Sequence, residues 1–168
     1  MHIAFRVFHK DDLALYRSWF DDAELARRIS YPTDAWLTYV TSTEASCCWF
    51  AEASAKGVIA ALQVDREGER GYLDIAIRPD LRGQRLGIAV LSAFIAGPGN
   101  QYQVLEGAIE PDNAASLVCV CRCDFRILPG LNDDGLIRVE RNRDASSGCD
   151  SVEAWSGPQE DGQPSPID

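Results

Sequence analysis

The chain has 168 residues, 46% of them hydrophobic, and carries a formal net charge of −10 at pH 7. That length buries one substantial core but falls short of two full domains, and the acidity argues against a protein that works by neutralising nucleic-acid phosphates. Six acidic residues, Asp144, Asp150, Glu153, Glu160, Asp161 and Asp168, follow Arg143 with no Lys or Arg among them, which leaves −4 for residues 1–143. A cationic amine is a compatible substrate for such a balance. No apolar run approaches the ~18 residues of a membrane span, and the N-terminus lacks the pattern of a secretory leader, so a cytoplasmic protein with no membrane partner is expected.

Residues 3–8 alternate apolar and polar side chains and read as a first strand. Asp11 or Asp12 then offers an N-cap for a helix whose buried stripe is Leu13, Tyr16 and Phe20. A second helical piece covers 23–29, and Pro32-Thr33-Asp34 breaks it before a helix carrying Trp36, Leu37 and Val40. Residues 48–53 and 58–65 are β-type runs joined by Ser54-Ala55-Lys56-Gly57, a hairpin composition. Gly68-Glu69-Arg70-Gly71 turns into a strand over 72–78, with Leu73, Ile75 and Ile77 on one face and Tyr72, Asp74 and Arg78 on the other.

A helix over 87–96, buried through Leu91, Phe94 and Ile95, stops at Gly97-Pro98-Gly99-Asn100 and leads into a strand over 103–109. Pro111-Asp112-Asn113 opens a helix reaching about residue 122, and strands over 125–128 and 136–142 flank the turn Asn132-Asp133-Asp134-Gly135. From Asp144 the composition shifts to Ser, Gly, Asp, Pro and Gln. The expected organisation is one domain over 1–143 and an acidic, disordered tail over 144–168.

Cys119, Cys121 and Cys123 alternate along a helix, where residues two apart face different directions, and Cys47 and Cys48 are adjacent in a strand. Neither His2 nor His9 completes a zinc-type spacing. The cysteines are expected to be reduced, mostly buried thiols, and no metal site is expected.

Arg82-Gly83-Gln84-Arg85-Leu86-Gly87 lies between a strand and an apolar helix, so the N–H groups of the turn and of the helix N-terminus converge on one spot. Converging donors at a helix N-terminus bind phosphate. Gly83 and Gly87 permit close approach of the main chain to a ligand, and Arg82 and Arg85 can add charge-assisted bonds. No Gly-Lys-Ser/Thr follows, the glycine spacing is not that of a dinucleotide fingerprint, and the preceding strands are antiparallel, so nucleotide-loop readings fail.

The run Ile77-Arg78-Pro79-Asp80-Leu81-Arg82-Gly83-Gln84-Arg85-Leu86-Gly87 resembles motif A of the GNAT superfamily of acetyl-CoA-dependent N-acetyltransferases, V-x-P-x-x-R-G-x-G-x-G. Downstream, Asn113-Ala114-Ala115-Ser116, continuing to Asp124-Phe125, resembles that family's N-x-x-S helix ending in Gly-Phe. The resemblance implies an α/β fold: a central, mixed and mostly antiparallel sheet of six to seven strands, flanked by helices and splayed between the fourth and fifth strands. It implies acetyl-CoA as cosubstrate, with pantetheine against the backbone of Ala76, Ile77 and Arg78. The pyrophosphate would rest on Arg82, Gly83, Gln84, Arg85, Leu86, Gly87 and Ile88, with Asn113 and Ser116 completing the cofactor site. The implied reaction is direct attack of a primary amine, of a small molecule or a peptide, on the thioester.

Two positions depart from the family pattern. Arg85 stands at the motif's middle glycine, where a side chain requires a negative φ or must point away from the phosphates. Val120 stands where relatives carry the tyrosine that protonates the departing thiolate, though a thiol of pKa ~8.5 can take its proton from water.

Asp74 is the candidate general base, with Glu106 and Glu110 as competitors and pairing with Arg78 as the alternative role. Trp36, Tyr39, Trp49 and Tyr31 are candidate walls of the acceptor pocket. The rival to an enzyme is a non-catalytic acyl-CoA-binding or regulatory module, motivated by Arg85 and Val120. The sequence leaves a homodimer open.

Overall fold

The computed structural model describes residues 1–145. It contains seven strands, β1 (Ile3–Val7), β2 (Ser46–Ala53), β3 (Gly57–Glu67), β4 (Arg70–Ile77), β5 (Val104–Ile109), β6 (Arg126–Leu131) and β7 (Ile137–Asn142). The helices are α1 (Leu13–Ser18), α2 (Ala23–Arg28), α3 (Asp34–Ser42), α4 (Leu86–Ala96) and α5 (Ala114–Cys121). The strands form one sheet in the order β1-β2-β3-β4-β5-β7-β6. All neighbours are antiparallel except β4 and β5, which the α4 crossover makes parallel.

The middle strands are apolar on both faces because helices cover both. On one face, Trp49, Ala51, Ala60, Leu62 and Val64 meet Val90, Leu91 and Phe94 of α4 and Val120 of α5. On the other, Cys48, Phe50, Ala61 and Ala76 meet Leu13, Tyr16, Trp19, Leu25 and Val40 from the helical first third. Phe50 is fully enclosed there: Trp19 stacks on it at 5.7 Å between ring centroids, and Phe8 meets it edge-on at 4.9 Å.

Several helix starts follow the expected chemistry, with Asp22, Thr33 and Asn113 each accepting a backbone N–H at the head of α2, α3 and α5. The first start does not. His9 caps a short 3-10 turn over Lys10–Asp12, while the Asp12 carboxylate takes two bonds from Arg6, at 2.6 and 2.7 Å, and one from the His9 N–H. A bidentate guanidinium is a stronger partner than a capped amide, so Asp12 pins β1 instead of capping α1. The Arg6 pair also holds the Asp12 carboxyl below the ordinary carboxylate range.

Asp144, which begins the expected tail, accepts a bond from Gln103 Nε2 at 2.8 Å; the tail from residue 146 onward, and Cys149 with it, lies outside the described residues. Phe50→Ala is expected to lower the free energy of unfolding by about 3–5 kcal/mol, read as a shifted urea midpoint. A loss under about 1 kcal/mol would contradict the ring cluster as a core element.

Candidate functional site

The site begins where the sheet fails to close. The β4–β5 ladder holds three residue pairs, Arg70–Val104, Gly71–Leu105 and Tyr72–Glu106, and then the strands part. On the other side β4 stays paired with β3 through Ile77. The Arg78 N–H donates to Ile59 O at 2.9 Å, and since antiparallel hydrogen-bonded pairs recur every second residue, Ala76 and Asp74 also face β3 with their amides. Ile75 and Ile77 therefore aim their N–H and C=O groups into the gap. Within the stretch expected to meet pantetheine, Ile77 turns its N–H and C=O into the gap, while the amides of Ala76 and Arg78 face β3.

Beyond β4, a 3-10 turn at Pro79–Leu81, anchored by buried Leu81, carries the chain to the head of α4. Gly83 has φ +74°, with open space around its missing side chain. Arg85 is the N-cap of α4 at φ 59°, ψ 18° and is exposed. The loop thus keeps the left-handed geometry of a glycine with an arginine in place, and the side chain points to solvent. The unpaired N–H groups of the first turn of α4, at Leu86, Gly87 and Ile88, face the same loop mouth.

At Gly87 a Cβ would make ordinary van der Waals contacts, 3.4 Å to Cys119 Sγ and 4.0 Å to Ile77 Cγ1, so packing of α4 against α5 and β4 does not by itself demand a glycine there.

Three cations surround the loop. Arg82 and Arg85 were expected, and Lys56, from the β2–β3 turn, reaches Gln84 Oε1 at 2.9 Å. Arg82 donates through Nη1 to Asp22 Oδ1 at 2.7 Å. Arg78 is paired with Asp80 and with the carbonyls of Lys56 and Val58, and not with Asp74. Asn113 spends its Oδ1 on the Ser116 N–H, at 3.2 Å, as the cap of α5. Val120 is buried in the core under α4. Asp124 takes the place of the expected helix-ending glycine with φ 62°.

On the sheet face opposite α4, a cavity of about 270 Å³ is lined by Tyr16, Trp36, Cys48, Gln63, Asp74 and Ala76, with residues 28–30 on one side. Trp36 is the one expected aromatic that lines it. Trp49 lies on the other face against Phe94, Tyr31 packs on Phe20, and Tyr39 lies beside Asp65, outside the cavity lining. Trp36 Nε1 donates to Gln63 Oε1 at 2.7 Å and Gln63 Nε2 donates to Asp65 at 2.9 Å, so the amide is committed.

Asp74 opens into the cavity with no hydrogen bond or ion pair among the described residues. Asp74 keeps an exposed edge, and partial desolvation by the protein around it, with repulsion from Asp65 and Glu110, raises its pKa above the ordinary carboxylate value. Its competitors are spent: Glu106 is paired with Arg70 and Glu110 with Arg28.

Cys119 and Cys123, four residues apart, both turn toward α4: Cys119 Sγ lies against Gly87, and Cys123 Sγ lies 3.4 Å from Ser92 Oγ. No cluster of three or more potential metal ligands occurs among the described residues. No helix among them is long and apolar enough to cross a membrane.

No family model matches the sequence, and no curated protein sequence matches it. Solved structures share the fold. One is aminoglycoside acetyltransferase AAC(6')-Ib in complex with coenzyme A and kanamycin, with a TM-score of 0.71 and 16% identity over 84% of this chain and 95% of that one. A second structure of that enzyme, with acetyl-CoA bound, gives 0.72 and 16% over 85% and 94%. Spermidine N-acetyltransferase from Vibrio cholerae, in complex with CoA and spermine, gives 0.72 and 11% over 84% and 95%. At these identities the likeness establishes the fold, which is the splayed N-acetyltransferase fold expected from the two motifs.

Replacing Arg85 by glycine removes a left-handed side chain that costs roughly 1–2 kcal/mol, part of which glycine's freer unfolded chain offsets. Arg85→Gly is therefore expected to raise stability by about 0.5–1 kcal/mol in chemical denaturation. A destabilised variant would contradict the left-handed geometry.

Proposed function

We propose that the protein is an N-acetyltransferase that moves an acetyl group from acetyl-CoA to a primary amine of a small molecule or peptide. The observation that carries the proposal is the junction of the β4–β5 gap with the cationic loop at the head of α4. The gap presents the amides of Ile75 and Ile77 to an extended, amide-bearing arm, and the loop presents oriented N–H groups beside Lys56, Arg82 and Arg85 to a pyrophosphate. Acetyl-CoA would supply the activated acetyl group.

The acceptor amine arrives as an ammonium and has to lose a proton before its lone pair can attack. Asp74, raised in pKa and unpaired in the cavity, is suited to take that proton directly or through one water. A β4 N–H aimed into the gap can bond the carbonyl oxygen as negative charge develops on it. Val120 offers no acid, so the departing thiolate takes its proton from water.

Thiol release from acetyl-CoA across aminoglycosides, polyamines, amino acids and peptide N-termini tests the proposal. Turnover with at least one amine is expected, and saturable acetyl-CoA binding with no turnover across the panel would instead favour a non-catalytic acyl-CoA-binding module. The base must be deprotonated to act, so kcat/KM is expected to fall as pH drops through the raised pKa of Asp74, above the usual ~3.9 of aspartate. Asp74→Asn is expected to cut kcat/KM by about 10²–10⁴ and to flatten that acid limb; a variant that keeps both rate and limb would remove Asp74 from the chemistry.

A further inference from the structure

The short helix α2 lies across the open end of the β4–β5 gap. Because β4 and β5 run parallel, the segments leaving them start from the same edge of the sheet, and α2 is tied to both. At its head, Asp22 Oδ1 accepts the Leu25 N–H at 2.8 Å and Arg82 Nη1 at 2.7 Å. At its tail, Arg27 Nη2 donates to Asp112 Oδ2 at 2.9 Å, and Arg28 Nη1 meets Asp112 Oδ1 at 3.0 Å and Glu110 Oε2 at 3.3 Å. Residues 28–30 then form one side of the Asp74 cavity.

One helix is thus pinned at one end by the phosphate loop, at the other by the residues after β5, and shapes the acceptor cavity. Packing alone holds it weakly. It has six residues, of which Leu25 is the buried one, and a helix that short has no stability of its own. Its order is set by its anchors. Arg82 uses one of its five N–H donors on Asp22, which leaves the rest of the fork for another acceptor.

We infer that Asp22 is a positioning residue that couples occupancy of the loop over residues 82–88 to the order of α2 and of the cavity side at 28–30. The inference rests on the reading of that loop as a CoA site. Phosphate oxygens that take the free donors of Arg82 fix its guanidinium from both sides and displace the water that competes for its bond to Asp22. The head of α2 tightens, and residues 28–30 with it. The coupling is reciprocal, so an amine seated in the cavity holds CoA more firmly and CoA prepares the cavity for the amine.

Hydrogen exchange with CoA alone as the probe tests this without a known acceptor. Asp22→Asn keeps an oxygen for the Leu25 N–H and drops the charge that holds Arg82; Asp22→Ser, which also caps, is the second variant. In the wild type, saturating CoA is expected to slow exchange over 82–88 and, by about 5-fold or more, over 23–30. In both variants protection over 82–88 persists while that over 23–30 no longer responds to CoA. Protection over 82–88 without any over 23–30 in the wild type overturns the coupling, as does equal protection over 23–30 in the variants. Absence of protection over 82–88 in the wild type refutes the CoA reading itself, and the coupling with it.

Discussion

The site depends on the early end of the β4–β5 ladder. After Tyr72–Glu106 the two strands diverge, and each is held away from the other by a complete ladder on its far side, β3 for β4 and β7 for β5. A main chain that gives up a ladder leaves donors and acceptors to be satisfied by something else. The parting therefore creates both the space for an extended ligand and the groups that would bind it. The Asp74 cavity lies beside the same strand, on the face covered by the helical first third.

The second constraint is the placing of charge. Around the cavity most carboxylates are paired: Glu24, Glu110 and Asp112 with Arg27 and Arg28, Glu106 and Glu140 with Arg70. Asp74 is left without a cation among the described residues, in a setting that raises its pKa. Glu24 and Asp112 are shifted the other way, lowered by hydrogen bonds from Arg28 and Arg27. The cations Lys56, Arg82 and Arg85 gather at the loop over residues 82–88 instead, so an acidic chain carries a local positive site there.

Strand positions and the loop over residues 82–88 were legible in the sequence because both have local codes, the two-residue alternation of Leu73, Ile75 and Ile77 and the strand–glycine–helix order of residues 77–87. Asp124, at φ 62°, shows that the helix-ending geometry survives the loss of its glycine, as Arg85 shows for the loop. What was not legible comes from pairs far apart in the chain. Arg28 meets Asp112 and Lys56 meets Gln84 only because the sheet brings them together. The role of Asp12 was misread because Arg6, from β1, takes the carboxylate that was expected to cap the helix.

The central claim is that the gap between β4 and β5, with the loop over residues 82–88, is a binding site for acetyl-CoA. Calorimetric titration of the full chain with acetyl-CoA addresses it without any knowledge of the acceptor. The account predicts saturable binding with one acetyl-CoA per chain that weakens as salt screens the cationic loop. An isothermal titration showing no saturable heat at any salt concentration would contradict it.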